Sequence, residues 1–232
     1  MRFLPALALL FFCFSALADD GAKAISGDEI ALADGRTLHL AGITAPNAKG
    51  ALQSLIDNRT LAFEAGDADR YGRIPAQVYA QDAKGKIWLQ GELLRQGLAF
   101  VYPPAGDEPR LGEMRTLEKK ARAMKKGIWA DPAYADIPAE KAGKFYGRFA
   151  FVGGRVVDAA REKNMVYLNF GADWHTDFTI AIAAHDLRAF ARANIDPLTL
   201  KGKTIRVRGW IKKNFGPMIT VTDPGQIEVL PD

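Results

Sequence analysis

The sequence predicts a mainly β chain with packed helices (α+β), built as two small barrels in tandem. Three observations carry that prediction. Two series of short segments alternate apolar and polar residues with period 2, an Ala- and Pro-rich stretch separates them, and helical spacing is confined to a few short runs. A length of 232 residues suits one large domain or two of ordinary size, and no repeat or low-complexity tract stands out.

The chain begins with Arg2, an apolar run from Phe3 to Leu17, and Ala16-Leu17-Ala18 ahead of Asp19-Asp20. This pattern predicts a secretory signal peptide over 1–18, cut after Ala18. About 15 apolar residues fall short of the roughly 20 that span a bilayer, so no membrane span is expected after cleavage. Cys13, the single cysteine, lies inside the apolar run and follows Phe12 rather than a small residue, which argues against a lipid-modified cysteine. The expected product is an exported protein, periplasmic or secreted, with no thiol and held by core packing alone.

Residues 19–130 form the first expected barrel. Ile30 and Leu32 alternate before the turn signal Asp34-Gly35, and Leu38 and Leu40 resume the inward face, giving a hairpin followed by a loop through Pro46. Gly50 to Asn58 places Leu52, Leu55 and Ile56 at helical spacing; Thr60 to Glu64, Ile74 to Tyr79 and Ile87 to Leu89 read as strands. A helix over Gln90 to Gln96 ends at Gly97, and Pro103-Pro104 breaks the chain. Glu108 to Lys126 reads as a longer helix with Leu111, Met114, Leu117, Ala121 and Met124 on one stripe and basic residues in its last turns, where the helix dipole favours them. Gly127 ends it, and Ile128-Trp129 is read as a hydrophobic clasp with Trp129 in the core. Five strands with helices gathered on one side suggest a Greek-key barrel of OB type.

Residues 131–144, DPAYADIPAEKAGK, have no clear period and read as a linker. Over 145–232 come expected strands at Phe149 to Val157, Met165 to Phe170, Asp177 to Ile182, Lys203 to Ile211, Met218 to Val221 and Ile227 to Leu230, with a helix at Ala184 to Ala193. That order is again the order of an OB barrel. The sequence pI of 9.1 points to an acidic partner, yet the charge is uneven. From Asp19 to Gly143 there are 17 Lys+Arg against 18 Asp+Glu, and from Lys144 to Asp232 there are 13 against 9. The basic surplus therefore belongs to the C-terminal half.

Five blocks give the first half a resemblance to a known family: Gly27-Asp28, Leu40-Ala41-Gly42-Ile43-Thr44-Ala45-Pro46, Asp69-Arg70-Tyr71-Gly72-Arg73, Leu94-Arg95-Gln96-Gly97-Leu98-Ala99 and Lys126-Gly127-Ile128-Trp129. In that order and spacing, over about 110 residues, they resemble the staphylococcal nuclease (thermonuclease) family. The resemblance implies metal-assisted phosphodiester hydrolysis, in which aspartates hold a calcium ion, a glutamate activates water and two arginines neutralise the phosphate.

Carried over residue by residue, the pattern is incomplete. Ser26-Gly27-Asp28 stands for Asp-Gly-Asp, His39 for an arginine, and Thr44-Ala45-Pro46-Asn47 for Asp-Thr-Pro-Glu, while the second arginine survives as Arg73. The implied metal positions are thus Asp28 and Thr44, and the implied catalytic positions Arg73, His39 and Asn47. One carboxylate and a neutral threonine are a poor set for calcium, which prefers several oxygens carrying two or more negative charges. Asn47 cannot accept a proton, so a base contributing roughly 10²- to 10⁴-fold is missing from its place. His39, with an ordinary pKa near 6.5, is a poor replacement for a bidentate guanidinium.

The expectation is a degenerate nuclease-fold module that binds nucleic acid or another polyanion, with no cofactor. The rival is a divalent-metal-dependent endonuclease in which His39 acts as base and Asp28 with a neighbouring carboxylate such as Asp69 holds calcium or another divalent ion. Each residue also has a plainer reading: Asp28 as a turn cap, Arg73 as a surface ion-pair partner, His39 as a solvent-facing strand residue, and His175 and His185 as structural.

In the second half, alternation along Lys203 to Ile211 puts Ile205, Val207 and Ile211 on one face and Arg206, Arg208 and Trp210 on the other. With Lys212, Lys213 and Phe215 in the following loop, this predicts a basic and aromatic surface for single-stranded nucleic acid or another polyanion. The plainer alternative is a merely soluble strand face, with Trp210 packed on a helix or on the first barrel. Asn169 to Trp174 and Asp177 to Ile180 also resemble, more loosely, a second OB module that accompanies some exported bacterial members.

Overall fold

Short runs of alternating apolar residues bounded by Gly, Asp and Asn turns make this chain mainly β with a few helices. The computed structural model describes residues 15–17, 21–102, 110–173 and 175–231. The expected signal peptide with Cys13 and the Ala18 cut lies outside them apart from Ser15–Leu17, as do Pro103-Pro104 and Trp174. The chain divides into two compact units, the first ending at Leu93 and the second beginning at Leu94.

The first unit contains β1 (Ser15–Leu17), β2 (Lys23–Ala24), β3 (Glu29–Ala31), β4 (Thr37–Leu40), β5 (Ile43–Thr44), α1 (Lys49–Ile56), β6 (Thr60–Ala65), β7 (Arg73–Asp82) and β8 (Gly85–Trp88), and α2 (Leu89–Gln96) carries the division. Its sheet runs β1-β6-β7-β4-β3-β2, with β8 added to β7. The hairpin at Asp34-Gly35 pairs Glu29 with His39 and Ile30 with Leu38. Strand β4 then runs parallel to β7, placing Thr37 beside Arg73 and His39 beside Pro75. The alternate residues Ile30, Leu38, Leu40, Leu61, Phe63 and Val78 are buried, as the period of 2 requires. Gln90, fully buried, donates from Nε2 to the Ala76 carbonyl at 2.7 Å and accepts the Val78 N–H at 3.2 Å, which ties the start of α2 to β7.

The second unit contains β9 (Phe100–Val101), α3 (Leu111–Ala123), β10 (Asp136–Pro138), β11 (Phe149–Arg155), β12 (Asp158–Glu162), β13 (Met165–Asn169), β14 (Thr179–Ala183), α4 (Leu187–Arg192), β15 (Thr204–Trp210), β16 (Lys212–Asn214), β17 (Gly216–Thr220) and β18 (Ile227–Val229). Two sheets, β10-β11-β15-β18 and β12-β13-β14-β17-β16, enclose a core of Val152, Val166, Leu168, Phe178, Ile180, Ile182, Val207 and Ile219. The expected closed barrels are not found: the sheets of the described residues are open.

The stretch 131–144, read as a linker, carries two 3₁₀ turns and strand β10, which pairs in parallel with β11 and is followed by buried Ala139 and Ala142. A strand of three residues is too short to show a period. Gly97 and Gly127 adopt positive φ of 72° and 53°, and the Ile128 N–H donates to the Gly97 carbonyl at 2.9 Å. A methyl group at Gly97 would overlap the Lys126 carbonyl oxygen, and one at Gly127 the Gly97 carbonyl oxygen. The Gln-Gly-Leu-Ala and Lys-Gly-Ile-Trp blocks are thus two halves of one close backbone crossing.

Helix α3 differs from expectation in its buried stripe. Met114, Glu118 and Ala121 are buried, whereas Met124 is 65% exposed. The stripe is turned because Glu118 takes a core position, where it accepts the Val101 N–H at 2.7 Å and pairs with Arg208 at 2.8 Å.

Candidate functional site

The hairpin of β3 and β4 and the start of β7 set the geometry of the first unit's candidate site. Gly27 lies so close to Ala45 that a side chain there would overlap the Ala45 carbonyl oxygen, which brings Asp28 against the Thr44-Ala45 backbone. Asp28 is half-buried and both of its carboxylate oxygens are occupied. Ser26 Oγ donates to Oδ1 at 2.7 Å, and the Ala45 N–H donates to Oδ2 at 3.2 Å. An aspartate at position 26 would offer a second negative charge here; the serine supplies a donor instead.

Arg73 lies between two carboxylates. Its Nη1 meets Glu29 Oε1 at 2.9 Å and its Nη2 meets Asp69 Oδ2 at 2.8 Å, with Nε on the same Asp69 oxygen at 2.9 Å. Asp69 Oδ1 accepts the backbone N–H groups of Tyr71 and Arg73. The hydrogen bond to Glu29, then that to Asp69, raises the Arg73 pKa above its ordinary value. Desolvation works against the Asp69 charge, but the hydrogen bonds from Arg73 and Tyr71 hold its carboxyl below the usual range. With one guanidinium and two carboxylates, the cluster carries a formal charge of about −1, the wrong sign for gripping a phosphate.

His39 faces the same side of the sheet as Glu29, its cross-strand partner. It is half-buried rather than solvent-facing, and its Nδ1 is enclosed without a hydrogen-bond partner. Thr44 is half-buried at the end of β5. Asn47 is exposed with φ of 61°, a left-handed conformation that asparagine tolerates better than a glutamate. Calcium, which the resemblance implies, fits this set poorly: the set offers one carboxylate, Asp28, beside neutral Ser26 and Thr44, and Asp69, a neighbouring carboxylate that could share a cation with it, is engaged by Arg73. Among the described residues no group of three or more His, Cys, Asp or Glu is placed to hold a metal.

The second unit corrects the expected open basic stripe. Arg208 is 2% exposed and donates through Nη1 to the Val101 carbonyl at 2.6 Å and to Glu118 at 2.8 Å. Arg206 is bound by Asp136 Oδ2 at 2.6 Å and Glu228 Oε2 at 3.0 Å. Helix α3 contributes to covering this face: Arg115 reaches the Gly225 and Ile227 carbonyls, and Arg122 pairs with Asp136 at 2.6 Å. A strand face that alternates arginines gives no hint, by period alone, that a helix lies over it. Trp210 and Phe215 remain 54% and 66% exposed, and Lys212 and Lys213 are exposed on β16. Trp210 meets Phe149 edge-on at 6.1 Å. His175 and His185 contact Asp173 and Asp186. Trp129 is buried, as expected.

Glu29 escaped the sequence reading as a site residue. The signal was present in the hairpin register, since the residue opposite His39 shares its face.

Residues 43–131 match the family described as staphylococcal nuclease homologue. An "uncharacterized endonuclease" of Escherichia coli is 30% identical over 145 residues, covering 56% of this chain and 90% of that protein. A "micrococcal nuclease" of Shigella flexneri is 29% identical over 151 residues, covering 57% and 86%. A "probable staphylococcal-like nuclease" of Oryza sativa subsp. japonica is 30% identical over 125 residues, covering 49% of this chain and 35% of that protein.

Proposed function

Because the chain belongs to the staphylococcal nuclease family, we propose that it is an exported member whose residues 19–130 keep the nuclease fold without the hydrolytic chemistry, and that the protein binds single-stranded nucleic acid. Residues 19–130 and 145–232 are read as OB-like modules. One observation carries the loss of chemistry: the two surviving family groups, Asp28 and Arg73, are both satisfied inside the protein, by Ser26 and Ala45 and by Glu29 and Asp69. A phosphate or a metal ion would have to compete with those partners for the charge of Arg73 and Asp28, which weakens the gain from binding. Binding is supported by the relatives named as nucleases and by the basic surplus of the C-terminal half.

The relatives' names, endonuclease and nuclease, favour hydrolysis, and the second reading is an endonuclease that acts through a divalent metal at a rearranged site. Restoring the family groups separates the two. In the first reading, His39→Arg with Thr44→Asp and Asn47→Glu, combined with Ser26→Asp and Glu29→Gln to release Asp28 and Arg73, creates calcium-dependent cleavage of single-stranded DNA absent from the parent protein. Equal cleavage by the parent and the restored variant would favour the second.

A further inference from the structure

The five-stranded sheet of the second unit has one face in the core and one turned away from it. Val166, Leu168, Ile180, Ile182 and Ile219 point into the core, so the residues alternating with them lie on the opposite face. Register carries one row across that face from Asn169 to Thr179 to Met218 to Lys212, and a second from Ala160 to Tyr167 to Ala181 to Thr220. At one edge the turn between β16 and β17 lifts Phe215 over the sheet. The result is a groove of about 370 Å³, within the range of small-ligand sites, lined by Glu162, Tyr167, Asn169, Asn214, Phe215 and Met218.

Phe215 is the unusual member. It holds φ of 58°, a conformation costly for an aromatic residue, while remaining 66% exposed. Burial therefore does not account for the strain. His175 meets its ring edge-on at 5.7 Å. Thr179 Oγ1 donates to Asn169 Oδ1 at 3.2 Å, which leaves the Asn169 amide hydrogens for another acceptor.

We infer that this groove is a nucleobase site, taking one unstacked base of a single-stranded nucleic acid between Tyr167 and Phe215, with the adjoining phosphate at Lys212. The inference rests on the reading that the protein binds nucleic acid, and it names the place. Aromatic walls suit the flat face of any base. The Asn169 and Asn214 amides suit its hydrogen-bonding edge, and Lys212, exposed at the end of the first row, supplies the cation. Glu162 adds a preference, because a carboxylate accepts from the exocyclic amino group of cytosine or adenine and has no such partner on thymine.

The test is fluorescence anisotropy of labelled oligo-dC and oligo-dT with the full exported chain at low salt, and the same with Tyr167→Ala, Phe215→Ala, Glu162→Gln and Lys212→Ala. Phe215 is exposed, so its variant folds; thermal melts check each one. Expected results are a loss of roughly tenfold or more in oligo-dC affinity for each aromatic variant, tighter binding of dC than dT that Glu162→Gln abolishes, and a salt slope smaller by about 0.7 for Lys212→Ala. Heparin, a polyanion without bases, should bind Tyr167→Ala as it binds the parent. Oligonucleotide affinity unchanged in folded Tyr167→Ala and Phe215→Ala overturns the groove assignment while leaving nucleic-acid binding in place. An equal loss of heparin binding in those variants also overturns it. No oligonucleotide binding by the parent protein overturns the broader reading together with this one.

Discussion

Ser26 donates its hydroxyl hydrogen to Asp28 Oδ1 across 2.7 Å, so the carboxylate that the family resemblance assigns to a metal is held by its own neighbour in the hairpin. With the Ala45 N–H on Oδ2, Asp28 accepts one hydrogen bond on each oxygen and works as a loop brace. Calorimetry with calcium should therefore detect no binding tighter than about millimolar in the parent. Ser26→Asp with Thr44→Asp should bring measurable affinity, and unchanged heats in a folded variant would contradict the fit argument. Ser26→Ala should cost about 1 kcal/mol of stability.

Arg73 offers a second lever. Glu29→Gln with Asp69→Asn removes both carboxylates from the guanidinium, and oligonucleotide affinity should rise at low salt with a steeper salt slope, by about 0.7. An affinity unchanged by the double variant would mean that the clamp is not what keeps Arg73 from phosphate.

The same clamp has a pH signature. The folded Asp69 carboxyl titrates below its ordinary 3.8, so its contribution is complete above that value and is lost as the pH falls through the lower folded value. The stability difference between the parent and Asp69→Asn, read from urea midpoints, should be constant above about pH 5 and shrink toward pH 2. Asp69 is solvated, so screening keeps the difference itself small.

In the second unit, Arg208→Ala should destabilise by about 3–5 kcal/mol because it strands buried Glu118. Replacing both charges, Arg208→Met with Glu118→Gln, removes the stranded charge while keeping an acceptor for the Val101 N–H, and should recover part of that loss. Oligonucleotide affinity of the folded double variant should match the parent, since a guanidinium 2% exposed touches no ligand. Thermal denaturation and anisotropy together read both outcomes.

Gly97→Ala should cost about 1–3 kcal/mol, from its positive φ and its overlap with the Lys126 carbonyl. An exposed glycine at positive φ with open space around it, such as Gly35, should cost less on the same substitution.

The strands of the first unit were legible because each buries one face: Ile30, Leu38 and Leu40 in the hairpin, and Leu61 and Phe63 in β6, follow the period of 2. Helix α3 was legible in extent but not in facing, because a glutamate and an arginine, Glu118 and Arg208, pair in the core where a hydropathy pattern expects apolar residues. The strands β10 and β16 are three residues each, too short for any period, and they carry much of what changed: β10 supplies Asp136 to Arg206, and β16 carries Lys212 to the edge of the groove. At the candidate site the substitutions at Ser26, His39, Thr44 and Asn47 were readable one by one. The partners that satisfy Arg73 were not, since Glu29 lies 44 residues away in sequence and meets it only through the sheet.

The most direct test of the central claim is an assay of the purified parent protein on single-stranded DNA and RNA with calcium, magnesium or manganese, following binding and cleavage in the same samples. The account predicts salt-sensitive binding with no cleavage above the rate of buffer alone for any of the three ions. Cleavage that disappears in both Asp28→Ala and Arg73→Ala would contradict it.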